Sequence, residues 1–189
     1  AGALPAPLII LEERTVGPDL GADSIKAGKI AALLGLLFVL LYMFISYGRF
    51  GIYSNISLAI NLSLIIAILS LLQATLTLPG IAGIILTIGM AVDANVLIFE
   101  RIREELNNKK SPINAIDNGY KRALTTILDA NITTFIAAII LFQLGSGPIK
   151  GFSITLAIGI ITSVFTAFTV TRFMVARWIR KSNPKEISI

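Results

Sequence analysis

From Phe50 to Val92 the sequence carries no charged residue, and the carboxylate that breaks the run, Asp93, is followed by apolar residues again as far as Glu100. Such a run is longer than the roughly 20 apolar residues that cross a bilayer core, so it reads as membrane-spanning. Asp93 falls near the middle of GIAGIILTIGMAVDANVLIFERIR, Gly80 to Arg103. An ionisable group at that depth costs about 2.5–3.5 kcal/mol on insertion scales, and such groups usually face a bundle interior or a water-filled path. Asp93 is therefore the first candidate for function.

Composition extends this to the whole chain. Hydrophobic residues make up 55% of the 189 residues and charged residues 14%, against roughly 25% charged in soluble domains. This describes an all-α, polytopic membrane protein. The formal net charge of +5 sits beside apolar spans and is not interleaved with exposed aromatics, which argues for membrane topology and against nucleic-acid binding. Cysteine and histidine are both absent, which excludes a disulfide framework, thiolate chemistry, imidazole proton shuttling and most zinc sites. Proton chemistry then falls to carboxylates. No metal or organic cofactor is expected, and protons are the natural coupling ion.

Residues 1–25 hold three prolines, an apolar run from Leu8 to Leu11 and a turn at Gly17-Pro18. They read as a strand followed by a loop, or equally as an irregular lead-in. One strand cannot bury itself, so the strand reading makes this part of a sheet whose other strands lie elsewhere. No basic n-region followed by an apolar core is visible at the start, so no signal peptide is expected and the chain reads as a piece of something longer.

Within a membrane domain of residues 26–180, five spans are expected at about 30–46, 55–76, 81–99, 126–144 and 152–173. Tyr47-Gly48-Arg49 closes the first, and Pro79-Gly80 breaks the chain after the second, since proline lacks the N–H and glycine tolerates turn geometry. Residues 100–123 are polar. Ser111-Pro112 there has the pattern of a helix start, and Ile113, Ile116, Tyr120 and Ala123 recur at helical spacing, which predicts an amphipathic helix on the membrane surface. Gly145-Ser146-Gly147-Pro148 separates the last two spans, and residues 181–189 form a tail. Arg14, Lys26, Lys29 and Lys150 fall on one side of such a bundle and the other Lys and Arg residues on the opposite side. The positive-inside rule makes that second side cytoplasmic, with the N-terminal segment outside and the tail inside.

The tripeptide Asp-Ala-Asn occurs twice, at Asp93 to Asn95 and at Asp129 to Asn131. Residues two apart on a helix are separated by about 200°, so Asp93 and Asn95 point to nearly opposite faces. Asp93 shares its face with Ala82, Leu86, Gly89 and Glu100, where the small residues permit close approach of another helix. Asp93 is then expected to face protein. No Lys or Arg within any span is available to neutralise it, so protonation is the cheaper route, and Asp93 is assigned to a proton relay. Asp129, about a turn inside the start of its span at the cytoplasmic boundary, where hydration or pairing with Lys121 or Arg122 is expected, is the second relay candidate. Asn95, Asn131, Thr162 and Thr166 are supporting polar residues.

The last span carries Thr155, Gly159, Thr162, Thr166 and Thr169 as one small and polar stripe. It reads either as a packing seam whose hydroxyls bond their own backbone or as a hydroxyl-lined wall beside a water path. Asn61, Gln73 and Gln143 read as interhelical hydrogen-bonding residues.

GIAGIILTIGMAVDANVLIFERIREEL, with TILDANITTFIAA and ALPAPLIILEERTVGPDLGADSI, resembles the C-terminal membrane region of SecD, in the RND-like SecD/SecF family of protein-export subunits. The resemblance covers nearly the whole chain. It implies five transmembrane helices of an RND-type six-helix unit, with one more span and a large periplasmic domain outside this sequence and a short extended periplasmic segment near Leu8 to Arg14. It also implies a non-enzymatic subunit of the bacterial inner membrane. Such a subunit pairs with SecF beside the SecYEG channel and uses the proton-motive force in late export of unfolded polypeptides. Asp93 falls on the family's membrane carboxylate in AVDAN, while Asn95, Asp129 and Asn131 match further motif positions. Two other classes share features with this chain. An RND-type proton-coupled small-molecule exporter would have the same fold and buried carboxylate. An intramembrane aspartyl protease carries aspartates in neighbouring spans, but resembles Gly-x-Gly-Asp where this chain has Met90-Ala91-Val92-Asp93.

Overall fold

The structure, a computed structural model, describes residues 18–182 together with Pro184 and Ile187. The expected strand at Leu8 to Leu11 and most of the 181–189 tail lie outside the described residues. Regular structure among the described residues is entirely helical: α1 (Pro18–Leu71), α2 (Leu78–Asn107), α3 (Pro112–Leu144), α4 (Pro148–Phe165), a π-helical segment (Thr166–Thr171) and α5 (Arg172–Ser182). Residues 18–25, read from the sequence as loop, are the first turns of α1, with Pro18 at a position where its missing N–H costs nothing. Four helical stretches are long and apolar enough to cross a membrane: Ile25–Leu71, Leu78–Asn107, Pro112–Leu144 and Pro148–Ser182.

The first of these is not straight. Fifty-four residues of helix would extend about 80 Å, well over twice a hydrocarbon core of about 30 Å. Gly48 interrupts it at φ 51°, ψ −117°, the first central position of a type II′ turn, which glycine adopts without steric cost. The Asn55 amide then donates to Leu40 O at 3.1 Å, although a straight helix would hold those residues about 22 Å apart. The two halves of α1 therefore fold back on each other at the Tyr47-Gly48-Arg49 turn. Gly51 sits in the crook, where a Cβ would meet Met43 O at 1.9 Å.

Aromatic packing anchors this bend. The Phe99 ring lies 5.4 Å from Tyr47 and 5.5 Å from Phe50, and Phe50 lies 5.7 Å from Trp178, so α1, α2 and α5 meet in one apolar knot. Phe50 and Phe99 are fully buried in it. On its polar side the Tyr47 hydroxyl donates to Glu100 Oε1 at 2.9 Å, and Arg103 pairs with the same oxygen at 2.6 Å.

α2 starts at Thr77, whose hydroxyl oxygen accepts from Gly80 N at 3.1 Å and donates to Pro148 O at 3.3 Å. That bond ties the start of α2 to the start of α4. From there the two helices run parallel in close contact through a ladder of small residues: Gly83 against Thr155, then Thr87 against Gly159. α3 runs back beside α2, with Gly119 against Ile102, where a Cβ would come within 2.5 Å. The turn between α2 and α3 is held by Glu105, 1% exposed at its side chain, which pairs with Lys110 and with Arg122 at 2.9 Å.

Two expectations need revising. The amphipathic stretch after Ser111 and the span expected at 126–144 form one continuous helix of 33 residues, because no glycine or proline between Ala123 and Thr126 breaks the backbone ladder. The Thr155 to Thr169 stripe also does not run unbroken. Across the π segment the backbone bonds reach i→i+5, which aligns Thr171 with Thr166: both are buried, while Thr169 is turned out and exposed.

Candidate functional site

Asp93 lies on the exposed face of α2, with Ala82, Leu86 and Gly89 on the same face. Nothing stands within 4 Å of where a Gly89 Cβ would be. The carboxylate lines a small groove of about 180 Å³ between α2 and α3, together with Met90, Leu97, Ile127, Asn131 and Thr134. Asp93 has no hydrogen-bond or ion-pair partner among the described residues. The polar side chains near it are spent on their own helix: Asn131 donates to Ile127 O at 2.7 Å and Thr134 to Ala130 O at 3.2 Å. The expectation that Asp93 faces protein is therefore not met within this chain, whose own helices leave it open.

The groove unites Asp93 and Asn131 but leaves the other candidates out. Asp129 is exposed on α3 and stands two residues from Asn131, hence on the far side of the helix. Of its two expected partners, Lys121 and Arg122, the second is engaged by Glu105 at 2.9 Å. Asn95 is buried, 2% exposed, and donates to Ala91 O at 3.0 Å.

Thr162 and Thr166 are buried as well. Thr162 donates to Ile158 O at 3.0 Å and Thr166 to Ser163 O at 3.2 Å. Within the stripe, Thr155 and Gly159 pack on Gly83 and Thr87 of α2, and the Thr155, Thr162 and Thr166 hydroxyls bond their own helix backbone. Asn61, expected to bond between helices, is fully buried with neither polar atom partnered among the described residues; Ser54 and Ser57, on the same half of α1, are in the same condition. Sequence reading named Asn61 but passed over Ser54 and Ser57 beside it. The only signal of this polar row is the recurrence of residues 54, 57 and 61 at spacings of three and four, which a serine in a membrane helix often shows without any function.

Asp93 stands at mid-span in a groove that it shares with Met90, Leu97, Ile127, Asn131 and Thr134. The groove offers a surface on which a further helix can close. Among the described residues no group of three or more His, Cys, Asp or Glu side chains is placed to hold a metal ion.

Comparison with known proteins gives this geometry a context. Residues 6–181 match the family described as "Protein export membrane protein SecD/SecF, C-terminal". The chain is 57% identical over 189 residues to the protein translocase subunit SecD of Magnetococcus marinus, covering all of this chain and 36% of that protein. It is 53% identical to the SecD of Rhodobacter capsulatus, covering 34% of it. Thus the chain spans about a third of the length of these relatives. Among solved structures it is similar to SecDF, a translocon-associated membrane protein from Thermus thermophilus, with a TM-score of 0.87 and 43% identity over 93% of this chain and 25% of that one. It is also similar to SecDF in a super-membrane-facing form, with a TM-score of 0.84 and 45% identity over 99% of this chain and 25% of that one. The chain belongs to the SecD/SecF family of protein-export membrane proteins, matching its C-terminal membrane region.

Proposed function

We propose that this chain is the proton-linked membrane unit of a bacterial Sec export complex, in which it pairs with SecF beside the SecYEG channel and promotes late translocation of unfolded polypeptides across the inner membrane. The observation that carries the proposal is the unpartnered Asp93, set in an open groove on a face of small residues. At mid-span that face borders either hydrocarbon or a covering helix, and in both settings the charged form of the carboxylate is costly while the neutral form is not. Protonation would shift which packing is preferred, and a preference of about 1.4 kcal/mol is a tenfold change in population.

In this reading α1 crosses the membrane twice, bent at Gly48, giving five crossings with the N-terminal segment periplasmic and the C-terminus cytoplasmic. The names of the relatives favour polypeptide export over the RND-type small-molecule exporter. Inner-membrane vesicles depleted of the full-length protein and reconstituted with it provide the test. Export of a preprotein past its late stage should accelerate on reconstitution only while a proton gradient is present. Equal rates with and without the protein under a gradient would contradict the proposal.

A further inference from the structure

α5 continues the last membrane helix without a break and is amphipathic. Val175 and Ile179 face the core, at 0% and 7% exposed. Arg172 fixes its inner edge, paired with Asp117 at 3.4 Å and lying 5.5 Å from the Tyr120 ring centre. The outer edge presents an open hollow of about 560 Å³ lined by Phe173, Ala176, Arg177, Arg180 and Lys181.

The three cations of this hollow have no ion-pair partner among the described residues. The acidic side chains nearest this end of the bundle are already engaged: Asp117 by Arg172, Glu100 by Arg103, Glu104 by Arg101 and Glu105 by Arg122. Asp117 shares a neighbouring hollow with Arg180, but it pairs with Arg172, and Arg180 has no ion-pair partner among the described residues.

Order along the helix is informative. Phe173 is 65% exposed and stands one turn on the membrane side of Arg177, with Arg180 and Lys181 a further turn out, so an apolar contact is followed over about 12 Å by three positive charges. A phospholipid presents the same sequence at a bilayer boundary, acyl chain and then phosphate, and paired guanidinium groups match phosphate oxygens in geometry as well as charge. We propose that this hollow binds the headgroup of an anionic phospholipid. The proposal rests on the membrane-spanning reading of α4 and α5, and not on proton coupling at Asp93.

The rival explanation is the general excess of basic residues on one side of a membrane protein, which requires no site. The test separates the two. The full-length protein with its partner subunit is reconstituted in nanodiscs of phosphatidylcholine and phosphatidylglycerol, extracted, and weighed by native mass spectrometry for retained lipid. Wild type should retain phosphatidylglycerol in preference to phosphatidylcholine. The R177Q/R180Q/K181Q variant should lose that preference by roughly a hundredfold, as expected of three basic side chains at an anionic surface. An R49Q/K109Q/K121Q variant, with the same loss of charge elsewhere, should keep it. Retention unchanged in the first variant, equal loss in both, or displacement of the lipid by added inorganic phosphate would each overturn the proposal. Should the triple variant lose folded yield, R177Q and R180Q singly decide in its place, each expected to lower retention about fivefold at unchanged Tm.

Discussion

Thr87 fills the space that a side chain at residue 159 would need: a Cβ on Gly159 would lie 2.0 Å from Thr87 Cγ2 and 2.6 Å from Thr87 Cβ. One turn earlier the relation is reversed, with Gly83 making room for the Thr155 hydroxyl, 2.3 Å from where a Cβ would stand. This alternation lets α2 and α4 approach closely, which is how helices associate in lipid, where burial of apolar surface supplies little.

Gly159→Ala should therefore destabilise the bundle by roughly 1–3 kcal/mol, the cost of overpacking a fitted interface. Thr87→Gly in the same chain should recover part of the loss, because it removes the atoms that clash. Thermal unfolding of the full-length protein in detergent reads both effects, and additive losses in the double variant would contradict this account of the seam.

The bend at Gly48 makes a topological prediction. If α1 crosses twice, single cysteines at Ala27 and Gln73 are labelled from the same side of the membrane, whereas one crossing puts them on opposite sides. Cysteines at Asn108 and Ser146, at the two ends of α3, should be labelled from opposite sides. Gly48→Ala should cost about 1–3 kcal/mol, since φ 51° with ψ −117° is strained for any residue with a Cβ.

The open groove makes a contact prediction. Cysteines at Met90, Leu97 and Asn131 should form crosslinks to the partner subunit, and only when that subunit is present. Cysteines at Thr155, buried against Gly83 of α2, and at Thr162, which is also buried, should form none. Crosslinking along the Thr155 to Thr162 face, or to lipid-facing probes alone along the groove, would mean that the partner sits elsewhere.

Much of this architecture was legible in residue order. The uncharged run from Phe50 to Val92 and the turn at Gly48 are both found in the fold, whereas the break expected at Pro79-Gly80 falls earlier, at residues 72–77, with Pro79 and Gly80 in the first turn of α2. The shared face of Ala82, Leu86, Gly89 and Asp93 follows from helical periodicity alone. What periodicity does not contain is which neighbour covers a face. The threonine stripe of α4 and the small-residue face of α2 look alike in sequence, yet the first is used within the chain and the second is left open. The π turn at Thr166–Thr171 escaped notice for a related reason: no residue type specifies it. The continuity of α3 was missed because charge at Lys121 and Arg122 marks a membrane boundary without ending a helix.

The most direct measurement is gradient-dependent export by the full-length protein carrying Asp93→Asn. This substitution keeps the size of the side chain and fixes it in an uncharged form. The variant should insert and assemble with its partner as wild type does, yet lose the acceleration that a proton gradient confers, by about tenfold or more if the two packings differ by about 1.4 kcal/mol in proton affinity. Asp93→Glu should keep part of it, and Asp129→Asn, exposed and outside the groove, should have a milder effect. Export by Asp93→Asn at the wild-type rate under a gradient would contradict the account and leave Asp93 a packing residue.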